Sequence, residues 1–238
     1  MNKSPESLYL DLMKKALAYA LWPEPGITEI EKSEGRTWPA LADTMIGLKR
    51  LDNLHQCVET VLKEGIPGDL IETGVWRGGA CIFMRAVLAA YGITDRRVFV
   101  ADSFQGLPKP DEDKYPADKG DKLHAEPVLA VSREAVEENF RKYGLLDDQV
   151  IFIKGWFRDS LPKANIKKLS VLRLDGDMYG STIEVLNTLY PLLEKGGFCI
   201  IDDYALMPCK RAVDDFRSAN NISSPLENID WTGTFWRT

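Results

Sequence analysis

Two short apolar runs that each stop on acids constrain this chain more than any other feature: Val171-Leu-Arg-Leu-Asp-Gly-Asp-Met-Tyr179 and Phe198-Cys-Ile-Ile-Asp-Asp-Tyr204. Such a run reads as a parallel strand buried on both faces. Acids at its C-terminal end then fall where open α/β sheets bind ligands, in the crevice beyond the strand tips. If the two strands are neighbours, Asp175, Asp177, Asp202 and Asp203 converge. Unpaired carboxylates that close together either keep protons or draw in a cation. A hard divalent ion with oxygen ligands, Mg²⁺ before Ca²⁺ or Mn²⁺, accounts for them economically. A single acid after a strand more often caps the next helix; it is the cluster that points to a site.

The rest of the chain fits around these strands. Leu8, Leu12, Ala16 and Tyr19 have helical spacing within residues 4–22, and Pro23-Glu-Pro-Gly26 stops that helix. Residues 26–40 read as a polar loop, and a second helix is expected over 42–63, with Met45, Leu48, Leu51, Leu54 and Val58 on one face. Residues 1–68 therefore predict a helical cap or lid, packed as one unit with the domain of residues 69–238. From Asp69 the pattern becomes strand, turn and helix. Leu70-Ile71 enters Glu72-Thr-Gly-Val-Trp-Arg-Gly-Gly79, and glycines after a strand let a ligand approach the backbone at a helix N-terminus. The spacing is not the dinucleotide fingerprint. It suits a cofactor whose amino-acid portion, not a pyrophosphate, meets the turn.

The next strand ends at Asp102, 23 residues beyond Gly79, near the offset at which an acid meets ribose hydroxyls in nucleotide-binding folds. An adenosine-containing cofactor follows. Residues 105–128 form a long proline- and acid-rich connection, of the kind that serves as a lid or binding loop. It holds His124, a second candidate base, and Tyr115-Pro-Ala-Asp-Lys119, whose Tyr-x-x-x-Lys spacing needs a helix that Pro116 makes improbable. A helix over 132–143 and a third strand at 150–153 precede Trp156, and a fourth strand spans 168–174. Ser181-Thr-Ile-Glu184 reads as a capping box. A fifth strand at 198–201, a helix over 209–219 and a terminal antiparallel hairpin complete a doubly wound, Rossmann-like α/β sheet.

The net charge of -6 argues against nucleic acid as a partner. No run is long enough to span a membrane, and Met1-Asn-Lys-Ser-Pro5 begins no apolar leader. Cys57, Cys81, Cys199 and Cys209 form no CxxC pair, which points to a reduced, cytoplasmic protein.

The glycine-rich first turn, the acids ending strands two and four and the hairpin tail resemble class I S-adenosylmethionine-dependent methyltransferases. More narrowly, six ordered blocks resemble the macrocin O-methyltransferase family, whose members methylate sugar hydroxyls on antibiotics: Thr44–Asp52, Glu72–Gly79, Asp102–Pro108, Gly155–Phe157, Leu172–Tyr179 and Ile200–Tyr204. The resemblance implies roles. Glu72 and Gly74 would border the methionine end of S-adenosylmethionine, Asp102 its ribose, and Ser103 and Trp156 its adenine. Thr44 and Met45 would close over it. Asp175, Asp202 and Asp203 would hold Mg²⁺, with Asp175 also beside the cofactor, and Asp177 would be the catalytic base. A small glycosylated acceptor and a homodimer are implied too. Asp-x-Asp also occurs in haloacid-dehalogenase phosphatases and in glycosyltransferases, although the phosphatase strand normally comes first in its fold. S-adenosylhomocysteine should stabilise only a methyltransferase.

Overall fold

The computed structural model describes residues 3–238, and in it the apolar runs form one sheet. Strands β1 (Asp69–Thr73), β2 (Val98–Asp102), β3 (Val150–Lys154), β4 (Leu169–Leu174) and β5 (Leu193–Ile201) are parallel. β6 (Glu227–Asn228) and β7 (Thr234–Arg237) add antiparallel pairs, giving the order β3-β2-β1-β4-β5-β7-β6. Strand order reverses between β1 and β4, which is where a doubly wound sheet opens its crevice. Alternate residues serve two cores. Leu70, Val98, Val100, Val171 and Ile200 join one, and Ile71, Phe99, Ala101, Leu172 and Ile201 the other.

The first core is closed by α1 (Pro5–Leu17), α3 (Gly47–Lys63), α4 (Gly79–Ala90) and α5 (Arg133–Lys142). Leu10, Leu17, Leu51, Leu54 and Val58 of the cap share it with Phe83 and Val87 of α4, and burying each such side chain contributes roughly 1.5–3 kcal/mol. The second is closed by α7 (Tyr179–Leu189) and α8 (Met207–Ala219), with the short α6 (Phe157–Ser160) beside them. All four cysteines are free and buried, and no helix among the described residues is long and apolar enough to cross a membrane.

Three local expectations change. α1 stops at Leu17 rather than near residue 22, because Tyr19 turns back with φ 53°. The polar stretch 26–40 contains α2 (Glu29–Glu34), opened by a capping box in which the Thr28 Oγ1 accepts from the Glu31 N–H and the Glu31 carboxylate accepts from the Thr28 N–H. The second cap helix begins at Gly47 instead of residue 42. Residues 40–44 are drawn off to cover the glycine-rich turn: Leu17 O accepts from the N–H of Asp43 at 2.9 Å, and Asp43 O accepts from the N–H of Gly79 at 3.0 Å. Arg77 donates to the carbonyls of Ala40 and Ala42, at 2.9 and 2.7 Å.

Candidate active site

Cross-strand bonds bring the tips of the central strands level. The N–H of Gly74 donates to Ala101 O at 2.9 Å, that of Asp175 to Thr73 O at 2.9 Å and that of Asp202 to Leu174 O at 2.8 Å. β1 and β4 lie so close there that a Cβ on Gly74, where φ is +84°, would sit 1.7 Å from Asp175 O. Only glycine fits. Above the tips lies a cavity of about 320 Å³. Thr44, Met45, Glu72, Gly74, Asp102, Ser103 and Trp156 line it together with Asp175, Asp177, Asp202 and Asp203. His124 does not; it is exposed on the 105–131 segment, next to the lining residue Leu123.

The acids separate into two groups. Asp202 is buried between two guanidiniums, one oxygen accepting from Arg173 and the other from Arg50. Arg173 also reaches Glu72, and it donates to Asp175 at 3.0 Å; Arg50 reaches Asp230 of the tail at 3.0 Å. Burial pushes the Glu72 carboxyl up to about 7 even with Arg173 beside it. The second group is Asp175, Asp177 and Asp203, whose oxygens lie within 4.8 Å of one another. Among the described residues no basic side chain pairs with Asp177 or Asp203; Asp203 accepts only the Asp177 N–H, at 3.1 Å. Burial first, and then the neighbouring carboxylates, raise the proton affinity of both. Sequence reading put Asp202 with Asp175 and Asp203 and set Asp177 apart as base. The structure places Asp177 within 4.8 Å of Asp175 and Asp203, and sets Asp202, which also lines the cavity, against Arg50 and Arg173.

On the other side of the cavity the Asp102 carboxylate accepts the N–H groups of Val75 and Phe104, at 2.8 and 2.7 Å. Ser103 spends its hydroxyl on the turn, donating to Gly106 O at 2.7 Å. Trp156 opens α6 and Trp76 flanks the turn, its indole N–H on Val128 O at 2.8 Å. Two aromatic side chains, Trp38 and Trp231, stay about half exposed at the cavity rim.

A glycine-rich first turn, acid-ended strands and an antiparallel seventh strand inserted beside β5 define a class I methyltransferase scaffold. A Bacillus cereus O-methyltransferase solved with S-adenosylhomocysteine shares that fold at 13% identity, with a TM-score of 0.52 over 100% of this chain and 93% of that one. The match becomes much closer with the O-methyltransferase NovP: TM-score 0.95, 53% identity and 98% of each chain. A tetracenomycin-glycoside 4'-O-methyltransferase of Streptomyces olivaceus is 54% identical over 100% of this chain and 95% of its own length. The demethyldecarbamoylnovobiocin O-methyltransferase of Streptomyces niveus is 51% identical over 99% and 95%. The family model for macrocin O-methyltransferase (TylF) matches residues 6–238, and the chain belongs to that family. It is an O-methyltransferase, and its Asp-x-Asp motif is not that of a phosphatase or glycosyltransferase.

Sequence reasoning passed over Arg50, Arg173 and Asp118. Arg173 carried a signal, a charge inside an otherwise apolar strand, which can be buried only if paired. Arg50 lay in a matching block without a role. Asp118 was one acid among several in a loop.

Proposed function

We propose that the protein moves a methyl group from S-adenosylmethionine to a sugar hydroxyl of a small glycosylated natural product, in the cytoplasm and as a homodimer. A divalent cation, Mg²⁺ first, would be held by Asp175 and Asp203 with Asp177 at its edge. The observation that carries this reading is the trio at the cavity floor: three carboxylates whose oxygens lie within 4.8 Å of one another, two of them, Asp177 and Asp203, without a basic partner among the described residues, offering only hard oxygen donors. When bound, such an ion supplies positive charge that lowers the pKa of a nearby hydroxyl. The relatives' printed substrates, glycosides of a tetracenomycin, a novobiocin precursor and mycinamicin, support the acceptor class.

The protein's own part is to place and deprotonate. The turn at Gly74 and the Asp102 carboxylate suit the amino-acid and ribose ends of the donor, with Thr44 and Met45 over it and Ser103 and Trp156 beside the adenine. Asp177 takes the proton from the acceptor hydroxyl. As the new O–C bond forms in line, the S–C bond of the sulfonium breaks, its electron pair stays on sulfur and S-adenosylhomocysteine departs. A carboxylate whose proton affinity is raised by burial is suited to that work near neutral pH. Arg50 and Arg173 hold the floor beneath it, and positioning supplies much of the rate.

Asp177→Asn tests the assignment. S-adenosylhomocysteine should still bind, and Mn²⁺ should still bind through Asp175 and Asp203, with an affinity lowered by the loss of the Asp177 charge. Turnover on demethylated glycosides should fall by about 10²–10⁴. Turnover like that of the wild type would remove Asp177 from the base role.

A further inference from the structure

Helix α7 starts without a cap of its own. Its N-cap position is Met178, which offers no acceptor, and Ser181 lies inside the first turn, so the Ser181–Glu184 capping box expected from sequence is not formed. The acceptor comes from elsewhere. Asp118, buried in the 105–131 segment, takes the N–H of Tyr179 on Oδ1 at 2.6 Å and the N–H of Gly180 on Oδ2 at 2.9 Å. The segment is fixed at two further points. The Tyr115 hydroxyl donates to Glu184 at 3.0 Å, and the Tyr115 ring lies so near Gly180 that a Cβ there would be 2.5 Å from it.

These bonds fall directly downstream of Asp177, which sits at φ 55°. A non-glycine residue persists in that region only when its surroundings hold it there. From one side Asp203 accepts the Asp177 N–H at 3.1 Å. From the other, Asp118 fixes the peptide groups two and three residues on. Asp118 is therefore a clamp that a distant part of the chain places on the turn between β4 and α7.

We infer that Asp118 is a positioning residue: docking of the 105–131 segment onto the α7 N-terminus and placement of Asp177 in the acid trio are one event. The inference rests on the reading of Asp177 given above. It predicts that the reaction proceeds only while the segment is docked over the cavity, because the same carboxylate that latches the segment holds the base.

The test uses full-length Asp118→Ala and Asp118→Asn, saturated with S-adenosylhomocysteine for binding and with S-adenosylmethionine for turnover. Mn²⁺ affinity is read by electron paramagnetic resonance, alongside kcat and both KM values. Losing a charged acceptor for two N–H groups should lower kcat in Asp118→Ala about tenfold or more, with Mn²⁺ affinity falling in parallel and the KM for S-adenosylmethionine within about twofold. Asp118→Asn keeps an acceptor for one N–H and should lie between the alanine variant and the wild type. Wild-type kcat and Mn²⁺ affinity in Asp118→Ala, or a change confined to the acceptor KM, would overturn the inference, the second by assigning the segment to acceptor binding alone. If Asp118→Ala does not fold, Asp118→Asn decides in the same way. Should Asp177→Asn retain turnover, the base reading fails by itself, and Mn²⁺ affinity still reports whether Asp118 holds the trio.

Discussion

Two groups of acids lie a few ångströms apart at the tips of the same strands, and the protein treats them oppositely. Glu72, Asp202 and Asp230 are tied through Arg173 and Arg50 into a network that joins β1, β4, the cap and the tail. Among the described residues no guanidinium reaches Asp177 or Asp203, and Asp203 accepts only the Asp177 N–H. Had the cluster been built for stability alone, the second group would carry partners as the first does. The first behaves as structure, costly to break because it is buried, and the second as a site that keeps its charge for a ligand.

The largest predicted effect breaks the first group. Arg173→Met leaves Glu72, Asp175 and Asp202 facing one another without their shared cation, and removing one partner of a buried pair costs about 3–5 kcal/mol. Chemical denaturation measures it, with loss of the folded state as the extreme outcome. Next comes a reversal of sign between neighbours. With a chelator present, Asp202→Asn should lower the melting temperature, because Arg50 and Arg173 lose their shared acceptor, whereas Asp203→Asn should leave it unchanged or raise it by relieving repulsion. Equal losses from both substitutions would erase the distinction.

A pH series sharpens the same contrast. Folding raises Asp175 to about 6 and Asp177 to about 8 from an ordinary 3.8, through burial first and nearby carboxylates second. The folded chain then binds more protons than the unfolded one between those values, so stability falls as pH rises across that window. In chelator the melting temperature should decline from pH 5 to pH 8, and added Mn²⁺ should restore most of it at the upper end, where Asp175 has lost its proton and a cation displaces the one remaining on Asp177. The smallest effect is expected from Arg50→Lys. It keeps the charge and loses the fork that spans Asp202 and Asp230, so a cost of about 1–2 kcal/mol with near-normal Mn²⁺ affinity should follow.

Much of the architecture was legible because it is written locally. Apolar runs ending in Asp102, Asp175 and Asp202 marked three strand tips, and the glycines at 74 and 79 marked the turn that must admit both a neighbouring strand and the cap. Even the tail hairpin was visible in its aromatic spacing. Pairings across the chain were not. Nothing near Asp202 says that Arg50, 152 residues away, will neutralise it, and nothing near Tyr179 says that its N–H will meet Asp118, 61 residues earlier. Hydrophobic pattern encodes which face of an element is buried; it does not encode which charge meets which. The division of the acids into a neutralised and an unneutralised group therefore needed the fold.

The central claim is that the unneutralised group is the one that takes a cation. Its most direct test is Mn²⁺ titration, followed by electron paramagnetic resonance, of the wild type and Asp203→Asn with S-adenosylhomocysteine bound. The account predicts one bound ion in the wild type and an affinity lower by about tenfold or more in the variant, the usual scale for altering a metal site's ligands or their supports. Equal affinity in the two proteins, or no Mn²⁺ binding to the wild type, would contradict it.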